Sequence, residues 1–185
     1  IGDFYTREQA DALMAEDSKL QFKEDSGRGY RRVVASPKPI DIVEKDSILE
    51  LLKKEFIVIA SGGGGIPVYK NEEGDYIGIP AVIDKDFATA KLAELVNADY
   101  LFILTAVDRV AVNFGTPEQK DLATMTIDEA NEYIKQGQFA PGSMLPKVQA
   151  AMGFAQSKAG RKAVIGSLEK AVEAMNGESG TAITL

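Results

Sequence analysis

The sequence predicts an α/β fold: a three-layer αβα sandwich on a mainly parallel sheet, with a small protruding subdomain. Two observations lead to this prediction. Short apolar runs that are typical of buried strands, such as Tyr100–Thr105 (YLFILT), alternate along the chain with segments of helical spacing. These runs are continuously apolar, which is typical of parallel strands that helices cover on both faces.

The first 39 residues are predicted to form an accessory subdomain. Thr6 and Gln9 have the spacing of a capping box, which predicts a helix that begins after Thr6. Pro37 and Pro39 prevent any continuous helix or strand at the end of this region. The predicted domains are therefore the accessory subdomain over 1–39 and an α/β body over 40–185.

The body contains the start signals of several helices. Asp84 is predicted to cap a helix through Val96, and Thr126 with Glu129 has the spacing of a second capping box. Pro146 suits the first turn of a further helix. Other helices are expected within 41–55 and over 168–175. Strands are expected at 56–60, 100–105, 110–112, 163–165 and 182–185, with a hairpin turn at 72–75.

Composition excludes several classes of function. The 185-residue sequence has no cysteine and no histidine, which excludes disulfides, thiolate or histidine metal sites and Ser-His-Asp catalysis. Its formal net charge of -7 argues against nucleic acid as a partner. No apolar run reaches transmembrane length and no signal peptide is recognisable, so no membrane partner and a cytoplasmic location are expected.

A glycine-rich loop follows the apolar run at 56–60. Ordering consecutive glycines is costly in backbone entropy, so such a loop is typical of places where the backbone approaches a ligand closely. Its amide groups could form an anion-binding nest, although a flexible turn is the simpler alternative. The loop matches neither a Walker A motif nor a Rossmann fingerprint. Its residues are Ser61, Gly62, Gly63, Gly64 and Gly65.

Two lysines are predicted to lie at helix N-termini, where a positive charge is mildly unfavourable. Lys85 and Asp86 follow the cap Asp84, and Lys147 follows Pro146. An anion beside each helix end would remove this conflict, and neutralising spread negative charge is what phosphoryl transfer requires. A surface ion pair and a solvated lysine are the alternatives when each site is considered alone.

The segment LTAVDRVAVNFG at 104–115 combines the end of a buried strand, a turn with Asp108, and an apolar patch with Asn113 and Phe114. Such a patch could hold an adenine between apolar side chains. Ordinary core followed by a turn fits these residues equally well.

Taken together, these segments resemble the amino acid kinase superfamily, and within it the carbamate kinases. The matching strings cover nearly the whole sequence: RGYRRVVASPKP, VIASGGGGIPV, AVIDKD, LTAVDRVAVNFG, FAPGSMLPKV and VIGSLEKA. The resemblance implies an amino acid kinase-like fold and reversible phosphoryl transfer between ATP and carbamate, with carbamoyl phosphate as the phosphorylated product. Carbamate kinases commonly form ATP from ADP in arginine catabolism. The cofactor implied is ATP or ADP with Mg²⁺.

The resemblance also implies roles for individual residues. Lys85 and Lys147 would stabilise the transferring phosphoryl group, Asp86 would position both lysines, and Ser61–Gly65 would hold the acceptor end. The accessory subdomain over 1–39 would cover the acceptor side. No metal ligand on the protein is implied. The nucleotide pocket would be lined by Thr105, Ala106, Val107, Asp108, Val112, Asn113, Phe114, Ser143 and Met144.

The family carries an N-terminal region, with a further phosphate loop, that has no counterpart here. We therefore expect a C-terminal fragment that is inactive alone, and a homodimer for the full-length protein. Ala106 lies where the wider superfamily often has an acidic residue. A sibling kinase with another acceptor, such as acetylglutamate or a nucleoside monophosphate, and a non-catalytic module that senses a nucleotide or metabolite are the alternatives.

Overall fold

The computed structural model describes residues 2–25 and 27–185. It divides into two compact units. The first unit contains the described residues up to Pro37 together with Ile66–Ile83, and the second contains Lys38–Gly65 together with Asp84–Leu185. The accessory subdomain over 1–39, with its acceptor-side role, stays a prediction.

The first unit consists of one helix and two small antiparallel ribbons. The capping box predicted at Thr6 is present, because its hydroxyl accepts from the Gln9 backbone and the Gln9 side chain accepts from the Thr6 backbone. The hairpin predicted at 72–75 is also present, closed by the Asn71 side chain, which accepts from the Asp75 backbone. The elements are α1 (Arg7–Glu16), β1 (Gln21–Glu24), β2 (Tyr30–Val33), β3 (Val68–Lys70) and β4 (Tyr76–Gly78).

The second unit is built on a four-stranded sheet with helices on both sides. The strands of this unit are β5 (Tyr100–Thr105), β6 (Val110–Val112), β7 (Lys120–Leu122), β8 (Thr124–Thr126), β9 (Lys162–Ser167) and β10 (Thr181–Thr184). The pair β6 and β7 forms a separate hairpin beside the sheet. Its helices are α2 (Lys45–Lys53), α3 (Lys85–Leu95), α4 (Ile127–Lys135), α5 (Met144–Gln156) and α6 (Ala171–Met175). A single 3-10 turn, Leu168–Lys170, precedes α6.

The strand order of the sheet is β5-β9-β10-β8. β5 pairs with β9 and β10 pairs with β8 in parallel, whereas β9 and β10 are antiparallel. The prediction of an α/β fold with a mainly parallel sheet is confirmed.

The two faces of β9 show the layered arrangement. Ile165 is fully buried in one core cluster with Val148 and Phe154 of α5. Gly166 points to the opposite face, where a Cβ atom would lie 3.6 Å from Ala174 of α6. Helices therefore flank the sheet on both sides, as expected for a three-layer sandwich.

The hairpin formed by β6 and β7 is anchored to the sheet by one buried hydroxyl. Thr181 of β10 is fully buried, and its Oγ1 accepts from the Val110 backbone N–H at 2.8 Å. The same hydroxyl donates to the Leu122 carbonyl at 2.5 Å. One side chain thus satisfies a backbone group on each strand of the hairpin.

The strand predicted at 56–60 is wrong. Residues 56–60 have no regular secondary structure, and Ile57 and Ile59 are each 97% exposed. α2 is followed by a left-handed residue, Glu55 (φ 61°), and by a bond from the Phe56 N–H to the Leu51 carbonyl. An apolar run becomes a strand only where a neighbouring backbone pairs with it, and no described strand pairs with this one.

Candidate active site

The centre of the candidate site is a buried carboxylate at the start of α3. Asp84 adopts an extended conformation, and its side chain accepts from the Asp86 backbone N–H at 2.8 Å. This cap begins the helix at Lys85, as the sequence predicted, and places Lys85 and Asp86 in its first turn. Asp86 is only 8% exposed, so its charge requires a partner.

Lys147 of α5 is that partner. Its Nζ donates to Oδ2 of Asp86 at 2.7 Å, and its side chain is 14% exposed. Nζ of Lys85 lies 3.9 Å from the same oxygen, but the Lys85 side chain is 58% exposed. The packing of α3 against α5 therefore brings one carboxylate and two lysines together, with Lys147 the more firmly held of the two cations.

A cavity of about 540 Å³ lies beside Lys147 and falls within the size range of small-molecule sites. Six of the predicted nucleotide-site residues line it together with Lys147: Thr105, Val107, Asn113, Phe114, Ser143 and Met144. Phe114 is 69% exposed, so its ring is available to cover a ligand.

Three predicted nucleotide-site residues do not line this cavity. Val112 is 7% exposed and belongs to the hydrophobic core, and Ala106 is exposed. The Asp108 carboxylate accepts from Nζ of Lys170, and this hydrogen bond raises the pKa of Lys170. These three assignments stay predictions that the geometry of the cavity does not support.

Sequence reasoning missed several lining residues. Arg109 and Ala111 line the cavity together with Asn113, and Val110 and Val112 between them face the core. This alternation is the period of an extended strand, so the predicted strand at 110–112 contained the necessary signal. No comparable signal marked the others, which lie in loops: Thr116, Gly137, Gln138, Phe139 and Ala140.

A pair of amide side chains joins two walls of the cavity. Gln138 Oε1 accepts from the Asn113 backbone N–H at 2.7 Å, and its Nε2 donates to Oδ1 of Asn113 at 3.2 Å. Asn113 has a left-handed backbone (φ 53°), a conformation that asparagine tolerates better than most residues. These bonds fix the turn that presents Phe114 at this part of the cavity wall.

The glycine-rich loop contains two consecutive left-handed residues and does not line the cavity. Ser61 (φ 65°) and Gly62 (φ 43°) are both left-handed, and the Gly64 N–H donates to the Ser61 carbonyl at 2.7 Å. A Cβ atom on Gly62, Gly63 or Gly65 would meet nothing within 4 Å. The loop is thus open, and its predicted contact with the acceptor stays a prediction.

The described residues show no ready-made metal site, because no group of three or more acidic side chains lies close enough to hold an ion. Within the same described ranges, no helix is long and apolar enough to cross a membrane.

Comparison with known proteins decides the family. The profile of the Amino acid kinase family matches residues 8–167. The chain belongs to the amino acid kinase family. Within this family it is similar to solved structures of carbamate kinase, among them the enzyme from Giardia lamblia bound to AMP-PNP. That structure has a TM-score of 0.88 and 44% identity to this chain, and the match covers 100% of this chain and 58% of that one.

Curated relatives give the same picture. A carbamate kinase of Clostridium perfringens is 59% identical over 184 residues, and carbamate kinase 2 of Enterococcus faecalis is 50% identical over 184 residues. The matches cover 99% and 100% of this chain but only 58% of each relative. The chain therefore spans somewhat more than half the length of the amino acid kinases it matches.

Proposed function

We propose that this chain is the nucleotide-binding and phosphoryl-transfer part of a carbamate kinase, which transfers a phosphoryl group reversibly between ATP and carbamate. One observation carries the proposal: the buried Asp86–Lys147 ion pair, whose lysine lines the cavity.

The ion pair suits phosphoryl transfer because this reaction needs positioned positive charge and little covalent chemistry. Asp86 holds the Lys147 ammonium by a hydrogen bond of 2.7 Å, so the cation is in place before any ligand enters. Lys85, which lies beside Asp86 in the first turn of α3, supplies a second, more exposed cation. We assign both lysines to the transferring phosphoryl group and Asp86 to positioning them.

The cavity suits a nucleotide. Apolar groups of Val107, Phe114 and Met144 offer surfaces for a base, while Thr105 and Ser143 offer hydroxyl groups. The similarity to a carbamate kinase bound to AMP-PNP supports the same assignment. We propose ATP and ADP as the nucleotides.

Magnesium fits this site as part of the nucleotide complex. Asp86 is the carboxylate at the centre of the site, and Lys147 already occupies one of its oxygens. Mg²⁺ keeps much of its hydration and is commonly bound through substrate phosphates, which would supply its ligands here. When bound, the ion neutralises phosphate charge, and the lysines of this chain act beside it.

The cavity residues do not distinguish carbamate from another small acid. Support for carbamate as the acceptor therefore comes from the relatives, which are carbamate kinases. The decisive assay is ATP formation from Mg-ADP and carbamoyl phosphate. We would test the chain alone and joined to the N-terminal part of the Clostridium perfringens carbamate kinase that it does not cover. We expect ATP from the joined protein and none from the chain alone.

Two variants sharpen the assay. Lys147→Met in the joined protein should lower turnover by about 100-fold or more. Lys135→Met should leave it unchanged, because Lys135 forms an exposed ion pair on α4. Nucleotide binding without ATP from carbamoyl phosphate would replace our proposal by a sibling kinase or a nucleotide sensor, and acetylglutamyl phosphate and UDP would then be tested.

A further inference from the structure

The charges on the wall of the cavity are of one sign. Among the residues that line it, Arg109 and Lys147 carry positive charge and none is acidic. This is unexpected for a chain whose formal net charge is -7. A cavity with an excess of positive charge in an acidic protein attracts an anionic ligand.

The two cations differ in how they are neutralised. Lys147 is neutralised by Asp86 at 2.7 Å. Within residues 2–25 and 27–185, Arg109 forms no hydrogen bond or ion pair, although its side chain is only partly exposed. The adjacent Asp108 carboxylate is directed to Lys170 instead. The Arg109 side chain, which lines the cavity, therefore has its charge and its donors uncommitted.

The position of Arg109 along the wall indicates which part of a nucleotide it meets. Arg109 and Asn113 flank the three extended residues of β6, so their Cα atoms are separated by about 13 Å. Asn113 and the neighbouring Phe114 form the apolar, amide-fixed end of the cavity. Arg109 also lines the cavity and is close in sequence to Thr105, which lies at the carboxyl end of β5, where ligands of α/β sheets bind.

We propose that Arg109 contacts a phosphate group of the bound nucleotide and makes the cavity select nucleotides over nucleosides. This inference rests on the proposed function, since it takes the ligand to be an adenine nucleotide. A guanidinium group offers paired donors that match phosphate oxygens. Arg109 thus acts as a specificity-determining residue, in addition to the lysines at the transferring group.

The test is isothermal titration calorimetry of the 185-residue chain with adenosine, AMP and ADP. The variants are Arg109→Ala, Arg109→Lys and, as a control, Arg7→Ala. Arg7 is an exposed arginine of the first unit that does not line the cavity, so its removal changes the net charge equally. Circular dichroism confirms that each variant is folded, and Arg109→Lys supplies a milder change if Arg109→Ala is not.

We expect Arg109→Ala to weaken ADP binding by about tenfold to a hundredfold, the value of a charge-assisted hydrogen bond, and to leave adenosine binding unchanged. Arg109→Lys should lose less, because it keeps the charge but not the paired donors. Arg7→Ala should bind all three ligands like the wild type.

Three results would overturn the proposal. Equal weakening of adenosine and ADP would place Arg109 at the base or ribose. Unchanged ADP binding in Arg109→Ala would exclude the contact. Failure of the wild type to bind any of the three ligands would overturn the proposed nucleotide cavity itself, and with it this inference.

Discussion

Replacing Lys147 by methionine should destabilise the second unit strongly, because it leaves the Asp86 carboxylate buried and without its closest partner. At the observed 2.7 Å, two unit charges attract by about 6 kcal/mol at an effective dielectric constant of about 20. Desolvation of both groups offsets part of this attraction. Removal of one partner from a buried pair therefore costs about 3–5 kcal/mol.

Lys85 reduces this cost because it remains 3.9 Å from the same oxygen. Its side chain is 58% exposed, so it returns no more than about 1 kcal/mol. The expected loss in the free energy of unfolding is therefore about 2–4 kcal/mol. In urea this corresponds to a midpoint lowered by about 1–2 M, for a slope of about 2 kcal/mol per M.

The measurement is urea unfolding followed by far-ultraviolet circular dichroism. Lys135→Met is the matched control, since Lys135 and Glu132 are 71% and 60% exposed and their pair should contribute nothing measurable. Adding Asp86→Asn to Lys147→Met should restore most of the loss, because no buried charge remains. A Lys147→Met midpoint equal to that of Lys135→Met would refute the reasoning.

Three further predictions concern the scaffold of the site. Thr181→Val should lower the free energy of unfolding by about 2–4 kcal/mol, because it leaves one buried N–H and one buried carbonyl unpaired, whereas Thr184→Val should change it little; urea unfolding compares the two. Gly180→Ala should cost about 2–4 kcal/mol, since its backbone is left-handed (φ +84°) and a Cβ would lie 2.8 Å from the Val164 side chain. Gly177→Ala, equally left-handed (φ +80°) but with no neighbour within 4 Å, should cost only about 1 kcal/mol, and equal losses in thermal unfolding would exclude the clash. Glu129 accepts from the Thr126 backbone and hydroxyl, which lowers its pKa below the ordinary 4.5. Its carboxylate therefore stabilises the fold at a pH above the ordinary pKa, and this contribution is lost as the pH falls through the lowered pKa. In Glu129→Gln the free energy of unfolding, measured in urea, should fall less between about pH 5 and pH 3 than in the wild type, and an unchanged pH dependence would contradict the assignment.

Local signals predicted most helix starts correctly. The capping boxes at Thr6 and Thr126 and the cap at Asp84 are present as the sequence indicated. Such caps depend on three or four consecutive residues, so they can be read without knowledge of the fold. Because the cap fixes where α3 begins, the positions of Lys85 and Asp86 in its first turn were equally predictable.

Long-range contacts were the part that sequence reasoning did not provide. The strand predicted at 56–60 fails because strand formation depends on a partner that the sequence pattern does not name. The hydrogen bonds between Asn113 and Gln138 join residues 25 positions apart, and no sequence pattern around either residue predicts the other as its partner. Gly137 and Ala140 also line the cavity, from a loop that no local signal marked.

The hydroxyl of Thr181 has a consequence for how the cavity is assembled during synthesis. Every residue that lines the cavity precedes β10 in the chain, and the last of them is Lys147. The hairpin of β6 and β7, which carries the lining residue Ala111, is nevertheless held by a side chain 71 residues after Val110. A ribosome-bound chain stalled before β10 would carry every lining residue and still lack an anchored wall. The nucleotide affinity that we propose should therefore arise abruptly when β10 docks, rather than grow as the lining residues emerge.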